Sequence, residues 1–180
     1  MNDLTINDVR KLFSNHFQEL GYIKLKNLWY KNFDNGFYGY FNIIKSSHGK
    51  DFYLHYDICV EDLFEESSFP YIFKKPLMNC KFIKLIFDDK DKQQFMKLRD
   101  YENIKEIELQ QNIDKYMNIL YKYDAIQFCE KLCDYENLKE YIELENQWKY
   151  FIFQFATSKQ VLDFVNKKIS LKSPLARVGL

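Results

Sequence analysis

Glycine, proline and an excess of either charge are what this chain has least of. Its five glycines form neither a dinucleotide-binding nor a P-loop fingerprint, which excludes phosphate chemistry of those two kinds. Lys+Arg and Asp+Glu are equal at 26 each, so the chain lacks the electrostatic signature of a protein that coats DNA or RNA. The longest apolar run, Tyr150-Phe151-Ile152-Phe153, is far short of the roughly 20 residues a membrane helix needs. The N-terminal Met1-Asn2-Asp3-Leu4 shows no basic region leading into an apolar stretch, so no signal peptide and no membrane partner are expected. A cytoplasmic protein is the expectation.

Cysteine is also sparse, at positions 59, 80, 129 and 133. Cys129 and Cys133 are four apart on a predicted helix and could share a face. No histidine lies near them, so buried free thiols are expected rather than half of a metal site. No cofactor motif is present, and none is expected. Aromatic residues, by contrast, make up 18% of the chain, alongside many Asn, Lys and Ile. AT-rich coding accounts for that combination, so tyrosine abundance alone carries no functional reading.

The order of elements is clearest from Thr5 to Val60. Thr5-Ile6-Asn7-Asp8 has the form of a helix start, with an acid at the third helical position. Ile6, Val9, Phe13, Phe17 and Leu20 then make one apolar stripe, and Gly21 supplies the stop. Three strand-like runs follow: 22–31, 37–45 and 51–60. Asp34-Asn35-Gly36 separates the first two and predicts a type I′ turn. Short connections imply antiparallel pairing. In the third run Phe52, Leu54, Tyr56, Ile58 and Val60 should face the core, leaving Tyr53, His55, Asp57 and Cys59 on the other side. The second run has competing faces, Phe37, Phe41 and Ile43 against Tyr38, Tyr40 and Ile44.

Residues 61–76 carry Glu61, Asp62, Glu65 and Glu66 with Pro70 and Pro76, and predict a long surface loop with one short helical turn. Residues 79–87 predict a fourth strand. From about Gln93 the period is helical. Leu109, Ile113, Tyr116, Leu120 and Tyr123 form one stripe, Asp124 and Asp134 cap two further helices, and Thr157 with Gln160 opens a last one. The apolar segment 148–155 is placed as helix by its neighbours and is expected between the two halves. The fold class expected is α+β: an N-terminal helix on a four-stranded antiparallel sheet, followed by a C-terminal helical bundle. Residues 1–90 form the sheet part and 91–170 the helical part of one continuous domain, with a loose tail at 171–180.

Leu20-Gly21-Tyr22-Ile23-Lys24-Leu25-Lys26, then Trp29-Tyr30-Lys31, Phe41-Asn42-Ile43-Ile44-Lys45-Ser46-Ser47 and Phe52-Tyr53-Leu54-His55-Tyr56 form a series of short motifs. In these, roughly residues 5–60 resemble an uncharacterised bacterial family, domain of unknown function number 4304. Ile44 departs from the family's usual polar residue and His55 from its frequent asparagine. The resemblance implies an α+β fold and lends no activity. Similar small domains occur among toxin-immunity and defence-associated proteins.

Tyr53, His55 and Asp57 share a strand face, and a carboxylate two residues from a histidine could orient an imidazole for acid–base work. No serine or cysteine nucleophile is placed beside them. Tyr38 and Tyr40, with Lys24, Lys26, Lys31, Lys45 and Lys50 nearby, loosely match an RNA-stacking strand, but an extra residue at Tyr38 shifts the facing. Asp88, Asp89 and Asp91 lack the glycine and terminal glutamate of an EF-hand loop and fit a helix start instead. The expected function is therefore a non-enzymatic binding protein with a protein partner, of immunity or defence type, using Tyr38, Tyr40, Tyr53, His55 and Asp57 as a binding face. The alternatives are a small hydrolase or nucleotide-handling enzyme built on His55 and Asp57, and a weak single-stranded RNA binder.

Overall fold

Thr5 opens helix α1 (Ile6–Glu19). The Asp8 carboxylate accepts from the Thr5 backbone N–H at 2.8 Å and from its hydroxyl at 2.7 Å, which holds the Asp8 pKa below its ordinary value. Val9, Phe13 and Phe17 form the buried stripe, and Gly21 ends the helix at φ +82°. The computed structural model describes residues 3–63, 69–74, 76–144, 151–153 and 158–172.

The chain then builds an antiparallel meander. Its strands are β1 (Ile23–Leu25), β2 (Leu28–Asn32), β3 (Phe37–Lys45), β4 (Phe52–Val60), β5 (Met78–Cys80) and β6 (Phe151–Phe153), in sheet order β1-β2-β3-β4-β5-β6. The α+β expectation holds, with two corrections to the strands. The run at 22–31 splits into β1 and β2, because Lys26 turns the chain at φ 55° between them. The fourth strand ends at Cys80 instead of reaching Phe87, and Phe82–Lys84 forms a 3-10 turn.

Segment 148–155 is also corrected. Its described part is not helix but β6, which pairs with β5 through Met78↔Phe153, Asn79↔Ile152 and Cys80↔Phe151. A wholly apolar run has no period of its own, so pairing with an open strand edge decides its conformation. The remaining residues of that segment, Thr157, the acidic pair Glu65 and Glu66, and the tail at 173–180 lie outside the described residues. The loop at 61–76 does contain the expected helical turn, at Tyr71–Lys74.

The hairpin between β2 and β3 differs in detail from a type I′ turn. Positive φ falls on Asp34 (55°) and Gly36 (85°), with Asn35 between them. The closing bond runs from Phe33 N–H to Phe37 C=O at 3.0 Å, which makes the loop longer than two residues. The Asn35 side chain donates to the Cys133 carbonyl and accepts from Phe37 N–H, so tertiary bonding overrides the local turn preference.

Register settles the competing faces of β3. Phe37, Phe41 and Ile43 stand opposite Val60, Tyr56 and Leu54, all buried on one side. Phe17 stacks on Phe41 with ring centroids 4.2 Å apart, and Trp29 meets Phe17 edge-on. Gly39 lies over the Tyr56 ring so closely that a Cβ there would sit 1.9 Å from the phenol oxygen.

The later helices close over this same inner face. They are α2 (Asp89–Lys97), α3 (Glu106–Lys122), α4 (Ala125–Lys131), α5 (Tyr135–Glu143) and α6 (Ser158–Lys172). Tyr116 of α3 packs on Phe13, Phe52 and Phe95, and Tyr135 of α5 packs on Phe37. One cluster of buried side chains runs from Val9 in α1 to Val165 in α6, so sheet and helices share a core. Cys80, Cys129 and Cys133 belong to it, and all four cysteines are buried free thiols.

Candidate functional site

The outer face of the sheet carries every residue that the sequence singled out for binding. Tyr38 stands opposite Cys59, Tyr40 opposite Asp57, Asn42 opposite His55 and Ile44 opposite Tyr53. The structure divides this face into two regions with different surroundings.

The first region is covered. The turn at 69–74 lays Phe69 and Phe73 over Tyr30, Tyr38 and Tyr40. Tyr38 is 7% exposed and Tyr40 4%, and with Cys59 they form a second small apolar cluster. A base cannot stack on rings that other rings already cover, so the RNA-stacking expectation at Tyr38 and Tyr40 fails on geometry. Asp57 is buried beside them, and its carboxylate accepts from Asn79 Nδ2 at 2.6 Å. Burial pushes the Asp57 pKa up to about 6, against the opposing effect of the Asn79 hydrogen bond and the nearby Tyr40 hydroxyl. The Tyr40 hydroxyl itself donates to the Phe73 carbonyl at 3.3 Å. Burial raises the Cys59 thiol well above its ordinary value and leaves it a poor nucleophile.

The second region is open. β4 is paired with β3 over all nine residues, but β5 pairs only with Tyr56, Asp57 and Ile58. Past Cys80 the chain turns away, and a cavity of about 510 Å³ opens beside Tyr53, Leu54 and His55. Leu54, Phe82, Phe95 and Tyr116 give it an apolar floor, and His55, Lys81 and Arg99 stand at its polar rim. Among the described residues none that lines it is a carboxylate.

His55 is half-buried here. Burial, reinforced by the Lys81 ammonium, lowers its pKa below the ordinary 6.5, so the imidazole is neutral at pH 7. Its ring lies near Tyr53, with centroids 6.4 Å apart. The Arg99 guanidinium lies over the Tyr53 ring, with its central carbon 4.5 Å from the centroid. Arg99 is only 9% exposed. Its nearest carboxylate oxygen is Asp51 Oδ2 at 3.8 Å from Nη2, too long for a hydrogen bond, and Nε donates weakly to the Met96 carbonyl at 3.4 Å. Among the described residues most of its donors make no hydrogen bond, so this nearly buried guanidinium, ion-paired with Asp51 at 3.8 Å, can still meet an anion.

The binding-face residues therefore separate. Tyr53 and His55 line the cavity; Tyr38, Tyr40 and Asp57 lie under the 69–74 turn. Although His55 and Asp57 share a strand face, Asp57 is buried and accepts from Asn79, and no hydrogen bond joins it to His55 among the described residues, so the pair is not the hydrogen-bonded dyad that acid–base catalysis would need. Among the described residues no group of three or more His, Cys, Asp or Glu is arranged to hold a metal ion. No helix among them is long and apolar enough to cross a membrane.

Sequence reasoning missed Lys81, Phe95 and Arg99. Arg99 did carry a signal, as one of three arginines in a chain that otherwise uses lysine. Arginine in place of lysine is favoured where a planar, partly desolvated cation is needed. No family model matches the chain, and no curated protein or solved structure matches it.

Proposed function

We propose that the protein is a non-enzymatic binding protein that takes part of a protein partner into the cavity between β4 and α2. The observation carrying this reading is the cavity's composition: an apolar floor, a rim of His55, Lys81 and Arg99, and no lining carboxylate among the described residues. Such a site binds an anionic group attached to an apolar body. Its location at the edge of the sheet, where β4 runs on beyond β5, suits a segment of polypeptide better than a deeply enclosed cofactor. A small recognition module of this kind acts by occupying its partner, as immunity and defence-type factors do. The resemblance of residues 5–60 to domain-of-unknown-function family 4304 points in the same direction by association.

Affinity capture from the native host tests this reading with the wild-type chain and a cavity-blocked His55→Trp variant. The expected result is a stoichiometric protein retained by the wild type and lost with the variant. Absence of such a protein, or its equal retention by folded His55→Trp, overturns the proposal.

A further inference from the structure

The cavity contains a gap of one position in the β-ladder. Phe52 N–H, at one end, donates to the Arg99 carbonyl at 3.2 Å. The Ile58 carbonyl, toward the other, accepts from Leu77 N–H at 2.7 Å, and Tyr56 pairs with Cys80. These groups all point away from β3. Strand alternation turns the N–H and C=O of Leu54 the same way, and among the described residues they have no backbone partner on that edge. An edge strand with unpaired amides is a template for one more segment of chain.

The ends of the gap determine what fits. A segment antiparallel to β4 follows the direction of β5, entering near Lys81 and running toward Arg99. It can go no further than Leu54, because the next position is taken by the Phe52–Arg99 bond and the Asp51↔Asp100 bridge. The entering chain must therefore end or turn away there, as β5 itself turns after Cys80, and an end is what the Arg99 cation favours. Residues facing each other in an antiparallel pair share a sheet face, so the side chain opposite Leu54 falls toward Phe82, Phe95 and Tyr116. The group at its end meets Arg99, whose only carboxylate neighbour among the described residues stands 3.8 Å off.

We infer that this gap captures the free C-terminal residue of the partner protein: an apolar side chain in the floor, its N–H on the Leu54 carbonyl, and its carboxylate on Leu54 N–H and Arg99. The inference rests on the binding role proposed for the cavity and names the part of the partner that enters it.

The probe is a pair of N-acetylated pentapeptides, Gly-Ser-Gly-Ser-Leu and Gly-Ser-Gly-Ser-Phe, each as the free acid and as the C-terminal amide, titrated into the ¹⁵N-labelled full chain. The free acids should shift the amide signals of Leu54, Phe52 and Asp100. The amides should bind at least tenfold more weakly, and so should the free acids to Arg99→Gln. Lys81→Gln, a substitution at an exposed residue, should weaken binding severalfold if Arg99→Gln fails to fold. Failure of both free acids to shift Leu54, or equal binding of acid and amide, overturns the inference. A partner captured at the cavity as strongly after its C-terminus is extended would overturn it too, while leaving the binding role itself in place.

Discussion

Replacing Asp57 by Asn should change stability by an amount that depends on pH in a specified direction. The Asp57 carboxyl is 4% exposed, hydrogen-bonded by Asn79 and covered by the 69–74 turn. Burial raises its folded-state pKa from 3.8 to about 6. Between those two values the folded protein holds a proton that the unfolded chain has released. Stability contributed by this group is therefore present at low pH and lost as pH rises through about 6. The window, at roughly 1.4 kcal/mol per pH unit, amounts to about 3 kcal/mol of penalty at pH 8. Asn keeps the oxygen that accepts from Asn79 and never ionises. Asp57→Asn should thus be favoured over the wild type by about 3 kcal/mol more at pH 8 than in acid. Any constant cost of repacking the amide cancels from that difference. Urea denaturation of both chains at half-unit steps from pH 4 to 8 measures it. A stability difference that stays flat across the range, or shrinks as pH rises, would refute the assignment of Asp57 as a desolvated carboxyl.

Gly39→Ala should destabilise the fold by about 1–3 kcal/mol, because the new methyl meets the Tyr56 phenol. Combining it with Tyr56→Leu should cost less than the sum of the two single changes, and strict additivity in thermal melts would count against the contact. Phe17→Ala, which removes a fully buried ring stacked on Phe41, should cost about 3–5 kcal/mol by chemical denaturation, and a loss under 1 kcal/mol would be inconsistent with that packing. Lys81→Gln should raise the His55 pKa toward 6.5, read from imidazole proton shifts, since the ammonium is one of the two causes of its depression. An unchanged titration would separate Lys81 from the cavity. Amide exchange over Phe151–Phe153 should show alternating protection, as in a paired strand; continuous protection would restore the helix that the apolar run first suggested.

The amphipathic helix and strand runs of residues 5–60 and the helix period after Gln93 made the fold class legible before any coordinates. The inner set of β4, Phe52 to Val60, and the caps at Thr5 and Asp134 could also be placed from the chain alone, whereas Asp124 stands at the start of α4 at φ 49° and its side chain makes no capping hydrogen bond. These features are local: a period of two or 3.6, or a cap, is written in a few neighbouring residues. Where local pattern was absent, the reading failed. An all-apolar run at 151–153 could be strand or helix, and only the open edge of β5 made it strand. The five proposed binding residues share one face by alternation, as expected. Alternation says nothing about what lies above a face, however. A turn from residues 69–74 buries Tyr38, Tyr40 and Asp57 and spares Tyr53 and His55. Arg99 and Lys81 reach the cavity from far along the chain, brought there by β5 ending after three residues and α2 returning to Phe52. Amphipathic spacing determined which side of each element is apolar. Which apolar or polar sides remain uncovered was decided by packing between distant segments, and the site is built from that remainder.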